Sequence, residues 1–125
     1  MKFLSKFEGI AYALMRIVVG LLFACHGAQK LFGVLGGQSM VHVPLMLVAG
    51  IIEFGGGLLV ALGFFTRLAA FICSGQMAVA YFTAHFHLHG SYIPIINQGE
   101  PAVIYCFVFL FISTYGPGKW AIEKK

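Results

Sequence analysis

The chain has 125 residues, of which 60% are hydrophobic and only 10% are charged, and its formal net charge is +4. Soluble domains usually carry charge on about a quarter of their residues, so this composition excludes an ordinary soluble protein. Lys2 and Lys6 precede the first apolar run, and Lys124 follows the last one. The positive charge therefore reflects membrane topology and does not indicate nucleic-acid binding.

Apolar runs of membrane-spanning length follow one another along the chain. About 20 residues cross the hydrocarbon core as a helix, and glycine, proline and polar residues mark the turns between the runs. The pattern predicts one domain, residues 1–125, with helices at residues 10–32, 44–65, 67–86 and 101–115. The predicted fold is therefore an all-α, four-helix transmembrane bundle.

Four spans would return both termini to one side of the membrane. Basic residues favour the cytoplasmic side, and they occur at both chain ends and at Arg67, in the predicted turn between the second and third helices. We therefore expect both termini in the cytoplasm and the loops around Gly37 and Pro94 on the outer side.

The first predicted helix is too polar to face lipid all round, because Arg16 lies in mid-span and His26 lies near the outer end. The second helix carries Glu53, an acid in the middle of a span. Ionisable residues inside a span are costly and need partners. Because Arg16 and Glu53 differ little in depth, the sequence predicts an intramembrane Arg16–Glu53 ion pair with His26 above it.

Two interpretations of this buried pair stay open. It could fix the register of the two helices without any chemical role. Alternatively, Glu53 and His26 are the catalytic candidates, with Glu53 as a proton carrier or as a hydrogen-bond partner of a bound head group.

A polar mouth is expected on the outer side, where two helices end and two begin. The candidate ligand-binding residues of this region are Arg16, Gln29, Lys30, Gln76, His85, His87, Asn97 and Glu100. The aromatic residues that could wall the mouth are Phe23, Tyr81, Phe86, Tyr92 and Tyr105. Donors between aromatic walls suit a flat molecule with carbonyl groups and an apolar tail, such as a quinone.

His85, His87 and His89 alternate near the end of the third helix. In a helix, alternate residues diverge by about 200°, whereas in an extended strand they share one side. A metal site would then need His26, Glu100 or water as a further ligand. Interfacial histidines without a metal are the favoured interpretation.

Five short motifs follow one another along nearly the whole chain. They are Arg16 and Gly20 with residues 26–33, then residues 53–57, 61–67, 97–100 and 116–120. In this order they resemble the DoxX family of small bacterial membrane proteins. The resemblance implies a four-helix protein of the bacterial inner membrane. It also implies a link to thiosulfate oxidation that feeds electrons to membrane quinone, or to a membrane complex in thiol defence. The motif positions carried over by similarity are Arg16, His26, Gln29, Lys30, Glu53, Arg67 and Glu100.

Three hypotheses for function follow. The first is a redox accessory that binds quinone or helps a partner enzyme deliver electrons to it. The second is a non-catalytic scaffold or assembly subunit of a larger membrane complex. The third is a small-solute transporter gated by Arg16 and Glu53, which would need a dimer or a larger assembly. The expected partners are the lipid bilayer, membrane quinone, and other membrane or redox subunits in a homo- or hetero-oligomer.

Overall fold

A computed structural model describes residues 2–86 and 88–124, which form helices and no strand. Three helices are long and apolar enough to cross a membrane, and a shorter apolar helix follows them. The helices are α1 (Glu8–Phe32), α2 (Pro44–Leu62), α3 (Thr66–His85) and α4 (Glu100–Tyr115). Short helical turns at Lys2–Ser5, Leu88–Gly90 and Pro94–Asn97 complete the described part of the chain.

The tight turn between α2 and α3 is formed by residues in the left-handed backbone conformation. Gly63 ends α2 with φ +71°, and Phe65 precedes α3 with φ +50°. Glycine adopts this conformation without the steric cost that a side chain brings. Because of this turn, α2 stops three residues before the predicted end of the second span at residue 65.

Both α2 and α3 contain a π-helical segment, in which the backbone hydrogen bonds span one residue more than in an α-helix. The segments are Ile52–Gly56 in α2 and Tyr81–His85 at the end of α3. Neither was predicted from the sequence. Single π-helical turns inside α-helices are frequent at functional sites, and the first segment carries Glu53.

Close backbone contact joins α1 to α2, while α3 packs mainly against α4. A Cβ atom built on Gly27 would lie 2.2 Å from the Phe54 backbone nitrogen, and one built on Gly20 would lie 2.6 Å from that of Ala61. Only glycine fits at such a distance, and small residues are the usual means by which membrane helices approach closely.

Apolar side chains cover the outside of the helices. Within the most apolar part of each long helix, only 28–33% of the residues are buried inside the protein. Leu14, Val18 and Leu21 on α1 are examples of large apolar side chains that remain about half exposed. The surface is therefore matched to hydrocarbon.

Arg16 is fully buried at the end of the molecule where α1 begins and α2 and α4 end, which we call the Arg16 end. Its guanidinium donates hydrogen bonds to five backbone carbonyls. The acceptors are those of Val60 (3.0 Å), Ala61 (3.4 Å), Lys119 (2.7 Å), Trp120 (2.7 Å) and Pro117. Arg16 therefore ties α1 to the last turn of α2 and to the segment after α4.

The chain after Trp120 packs on the α2–α3 turn. The Ile122 N–H donates to the Leu62 carbonyl at 2.9 Å, and the Glu123 N–H donates to the Gly63 carbonyl at 3.0 Å. The Glu123 carboxylate accepts the Thr66 N–H at 2.7 Å. Hydrogen bonding from Thr66 lowers the pKa of the Glu123 carboxyl, so this contact stabilises the fold at neutral pH and is lost as the pH falls through that lowered pKa.

Candidate functional site

A cavity of about 540 Å³ lies between the four helices near the other end of the molecule, which we call the Lys30 end. Its rim on α2 includes Leu45 and Val48, and its rim on α3 includes Ile72 and Val79. These four apolar side chains are about half exposed on the outside of the protein. The cavity therefore opens sideways between α2 and α3, toward the region that hydrocarbon would occupy.

The polar floor of the cavity is built on Glu53, whose side chain is only 1% exposed. Lys30 Nζ donates to both carboxylate oxygens of Glu53, at 2.6 Å and 2.7 Å. Gln76 Nε2 donates to Glu53 Oε2 at 3.0 Å. All three side chains line the cavity. We call this cluster the Lys30–Glu53–Gln76 triad.

The predicted Arg16–Glu53 ion pair is wrong, because Arg16 binds carbonyls at the opposite end and Glu53 pairs with Lys30. The reason lies in the direction of helical side chains, which tilt toward the N-terminus of their own helix. Arg16 and Lys30 on α1 both lean toward the Arg16 end, whereas Glu53 on the antiparallel α2 leans toward the Lys30 end. Glu53 and Lys30 therefore lean toward each other, and Glu53 and Arg16 lean apart.

Four further side chains on the cavity wall can form hydrogen bonds, namely those of His26, Thr83, His85 and Tyr105. His26 on α1 is exposed and meets the Tyr105 ring edge-on, with 6.1 Å between the ring centroids. His85 ends α3, with its Nδ1 atom 3.4 Å from the Asn97 carbonyl oxygen. Of the aromatic residues predicted as walls, Phe23 and Tyr105 line the cavity. The structure thus brings five of the predicted site residues together, namely His26, Lys30, Glu53, Gln76 and His85.

Other predicted site residues lie away from the cavity. Gln29 donates to the Leu35 carbonyl at 3.0 Å in the loop after α1. Asn97 is buried, donates to the Tyr81 hydroxyl at 3.0 Å and accepts the Gly99 N–H at 2.9 Å. Both side chains organise loops, as Arg16 organises the opposite end.

Glu100 is exposed in the first turn of α4, where a negative charge suits the helix dipole. His87 lies outside the described residues. Within residues 2–86 and 88–124, no three histidine, cysteine or acidic side chains are grouped as metal ligands. Leu88–Gly90 forms a short helical turn, and this segment has no extended strand that would align the histidines.

Several cavity residues were not among the sequence candidates, and most of them are apolar. They include Met46, Ile52, Met77, Ala80 and Thr83. Their spacing along α2 and α3 is that of one helical face. The polar neighbours Glu53 and Gln76 on the same faces could have identified them.

Comparison with known proteins gives the family. A sequence model of the DoxX family matches residues 11–86. The chain belongs to the DoxX family. A Haemophilus influenzae protein described as uncharacterized is 42% identical over 98% of this chain and 95% of its own length. The inner membrane protein YqjF of Escherichia coli is 26% identical over 97% of this chain and 95% of its own length. No solved structure matches the chain significantly.

Family membership and the apolar helices together establish the location of the chain. As a DoxX protein with a relative described as an inner membrane protein and with several helices of spanning character, it is a multi-pass protein of the inner membrane. The matched segment, residues 11–86, contains all five of the predicted site residues that line the cavity, and it ends one residue after His85. The family match thus includes the whole Lys30–Glu53–Gln76 triad.

Proposed function

We propose that the cavity binds the head group of a lipid-soluble quinone and that this DoxX protein is an accessory in membrane electron transfer. The observation that carries the proposal is a cavity that opens toward the bilayer and has the triad as its floor. A ligand dissolved in the membrane could enter between α2 and α3 without crossing water. The volume lies within the range of about 300–1,000 Å³ that is usual for small-molecule sites.

The charge of the site supports an uncharged ligand. Lys30 and Glu53 neutralise each other at 2.6 Å, and most of the remaining wall is apolar. An inorganic anion such as thiosulfate would lose its hydration among apolar side chains and would meet no unpaired cation on this floor. Of the two substrates that the family resemblance suggests, the cavity therefore favours the quinone.

We also propose that all four helices cross the membrane with the Arg16 end in the cytoplasm. Lys2, Lys6 and Lys119 lie at this end, together with Arg67 in the first turn of α3, and basic residues favour the cytoplasmic side. The Lys30 end and the triad would then lie toward the outer leaflet. Because α4 has 16 residues, it spans about 24 Å and would require local thinning of the bilayer.

The proposal is tested by the affinity of the detergent-purified protein for a decyl-substituted benzoquinone, measured by equilibrium binding. We expect the double variant Lys30→Met/Glu53→Gln to bind at least about tenfold more weakly, because hydrogen bonds to charged groups contribute about 1.5–3 kcal/mol. Changing both partners leaves no unpaired buried charge.

The matched control is Lys6→Met/Glu8→Gln, which makes the same two changes at exposed positions outside the cavity. It should bind the benzoquinone like the parent protein. The proposal fails if the parent protein binds no more benzoquinone than empty micelles do, or if the two double variants bind it equally well.

A further inference from the structure

In the Lys30–Glu53–Gln76 triad most of the donor groups already have partners within the protein, whereas one acceptor has none in the described part of the chain. Lys30 Nζ directs two of its three N–H groups at Glu53. Gln76 Nε2 directs one more at the same carboxylate. Three N–H groups of Lys30 and Gln76 are therefore already bound to Glu53 and are not available to a ligand. A ligand is thus more easily held by the acceptors of the cavity than by these donors. The Lys30 ammonium group is a donor only, so it cannot accept a hydrogen bond from a ligand.

Gln76 also carries an acceptor without a donor. Its Oε1 atom is buried, and no hydrogen-bond donor for it occurs in residues 2–86 and 88–124. A buried polar atom is normally paired, and an unpaired one calls for an explanation. Gln76 lines the cavity, so a hydroxyl group of a bound molecule, after a small rotation of the side-chain amide, would supply the missing donor.

His85 offers a second acceptor. Its Nδ1 atom faces the Asn97 carbonyl oxygen at 3.4 Å. A carbonyl only accepts, so Nδ1 carries the proton in the neutral imidazole and Nε2 is left as an acceptor. His85 lines the same cavity as Gln76. His26 and Tyr105 can each donate or accept and therefore impose no preference.

We infer that the cavity binds the reduced, hydroxyl-bearing hydroquinone more tightly than the oxidised quinone. The inference rests on the proposed function and specifies the redox form of the ligand. A hydroquinone donates two hydrogen bonds, which Gln76 Oε1 and His85 Nε2 would accept. A quinone presents only carbonyl oxygens, and these would face the same two acceptors.

The experiment compares the affinities for decyl-benzohydroquinone and decyl-benzoquinone under anaerobic conditions, using the full-length protein in detergent. We expect the hydroquinone to bind about tenfold more tightly, which corresponds to about one or two net hydrogen bonds. In the variant Gln76→Met/His85→Phe the ratio of the two affinities should fall to near one. The control Gln38→Met changes an exposed glutamine outside the cavity and should retain the parental ratio.

The possible outcomes distinguish a failure of this inference from a failure of the proposed quinone binding. Equal affinities, tighter binding of the quinone, or a ratio that persists in Gln76→Met/His85→Phe would overturn the inference and leave quinone binding intact. If neither form binds, the proposed function fails, and the inference fails with it. A Gln76→Met/His85→Phe protein that does not fold is replaced by the single variants, whose ratios should each fall partway.

Discussion

Replacing Arg16 by methionine is expected to remove most of the stability of the fold. The variant removes the Arg16 donor from five backbone carbonyls, of which those of Val60, Ala61 and Pro117 are buried. Because each unsatisfied buried polar group costs about 1–3 kcal/mol, the free energy of unfolding should fall by more than about 3 kcal/mol. The measurement is denaturation of the purified protein in detergent micelles, followed by circular dichroism.

Arg16→Lys separates geometry from charge in this experiment. A lysine keeps the positive charge but has three donors on one nitrogen, whereas arginine presents five donors in a planar fork. Arg16→Lys should therefore lie between the parent and Arg16→Met, and the exposed substitution Lys6→Met should resemble the parent. A parental denaturation midpoint for Arg16→Met would contradict the role of Arg16 as the link between α1, α2 and the C-terminal segment.

Alanine at Gly27 is expected to force α1 and α2 apart. The added Cβ would lie 2.2 Å from the Phe54 backbone nitrogen and 2.8 Å from the Gly50 carbonyl oxygen. Backbone atoms cannot move aside as a flexible side chain can, so we expect a loss of about 2–3 kcal/mol in unfolding free energy, as for overpacked cores. The same micelle denaturation measures it.

The matched control for Gly27→Ala is Gly55→Ala. Gly55 lies on α2, the helix that Gly27 of α1 contacts, but a Cβ on Gly55 would meet no atom within 4 Å. Alanine favours helix over glycine by about 1 kcal/mol, so Gly55→Ala should be neutral or slightly stabilising. If both alanine variants lose the same stability, glycine flexibility and not backbone contact explains the pattern.

Composition and pattern were enough to predict an all-helical membrane protein and several of the residues that line the cavity. Glu53 and Gln76 stand out because polar residues inside apolar helices need partners. Helical spacing, which can be read from the sequence, places each of these two residues on the face of its helix that lines the cavity. Membership of the DoxX family was likewise apparent from the order of the motifs.

The depth of each residue in the membrane was not enough to predict which residue pairs with Glu53. Arg16 and Lys30 are both on α1, and the choice between them depends on the tilt of each side chain toward its helix N-terminus. The five carbonyls that accept hydrogen bonds from Arg16 belong to α2 and to the segment after α4. They are distant from Arg16 in the sequence, so no local sequence pattern predicts them.

The π-helical segments and the C-terminal packing are also products of tertiary structure. A π-helical turn needs no particular residue type, so Ile52–Gly56 has no sequence signal of its own. Ile122 and Glu123 contact the α2–α3 turn through their backbone N–H groups, which nearly any residue type could provide. Such contacts depend on how the ends of the helices meet.

The central claim is that a lipid-soluble ligand occupies the cavity between α2 and α3, and filling its mouth tests this most directly. Gly75 lines the cavity and has no atom within 4 Å of an added Cβ, so Gly75→Leu should narrow the mouth without a clash. Gly55→Leu makes the same change at an open position outside the cavity. Equilibrium binding of decyl-benzohydroquinone should be at least about tenfold weaker in Gly75→Leu, since a leucine side chain would displace the tail of the ligand from the apolar rim. Gly55→Leu should bind like the parent protein. Parental affinity in Gly75→Leu would contradict the account.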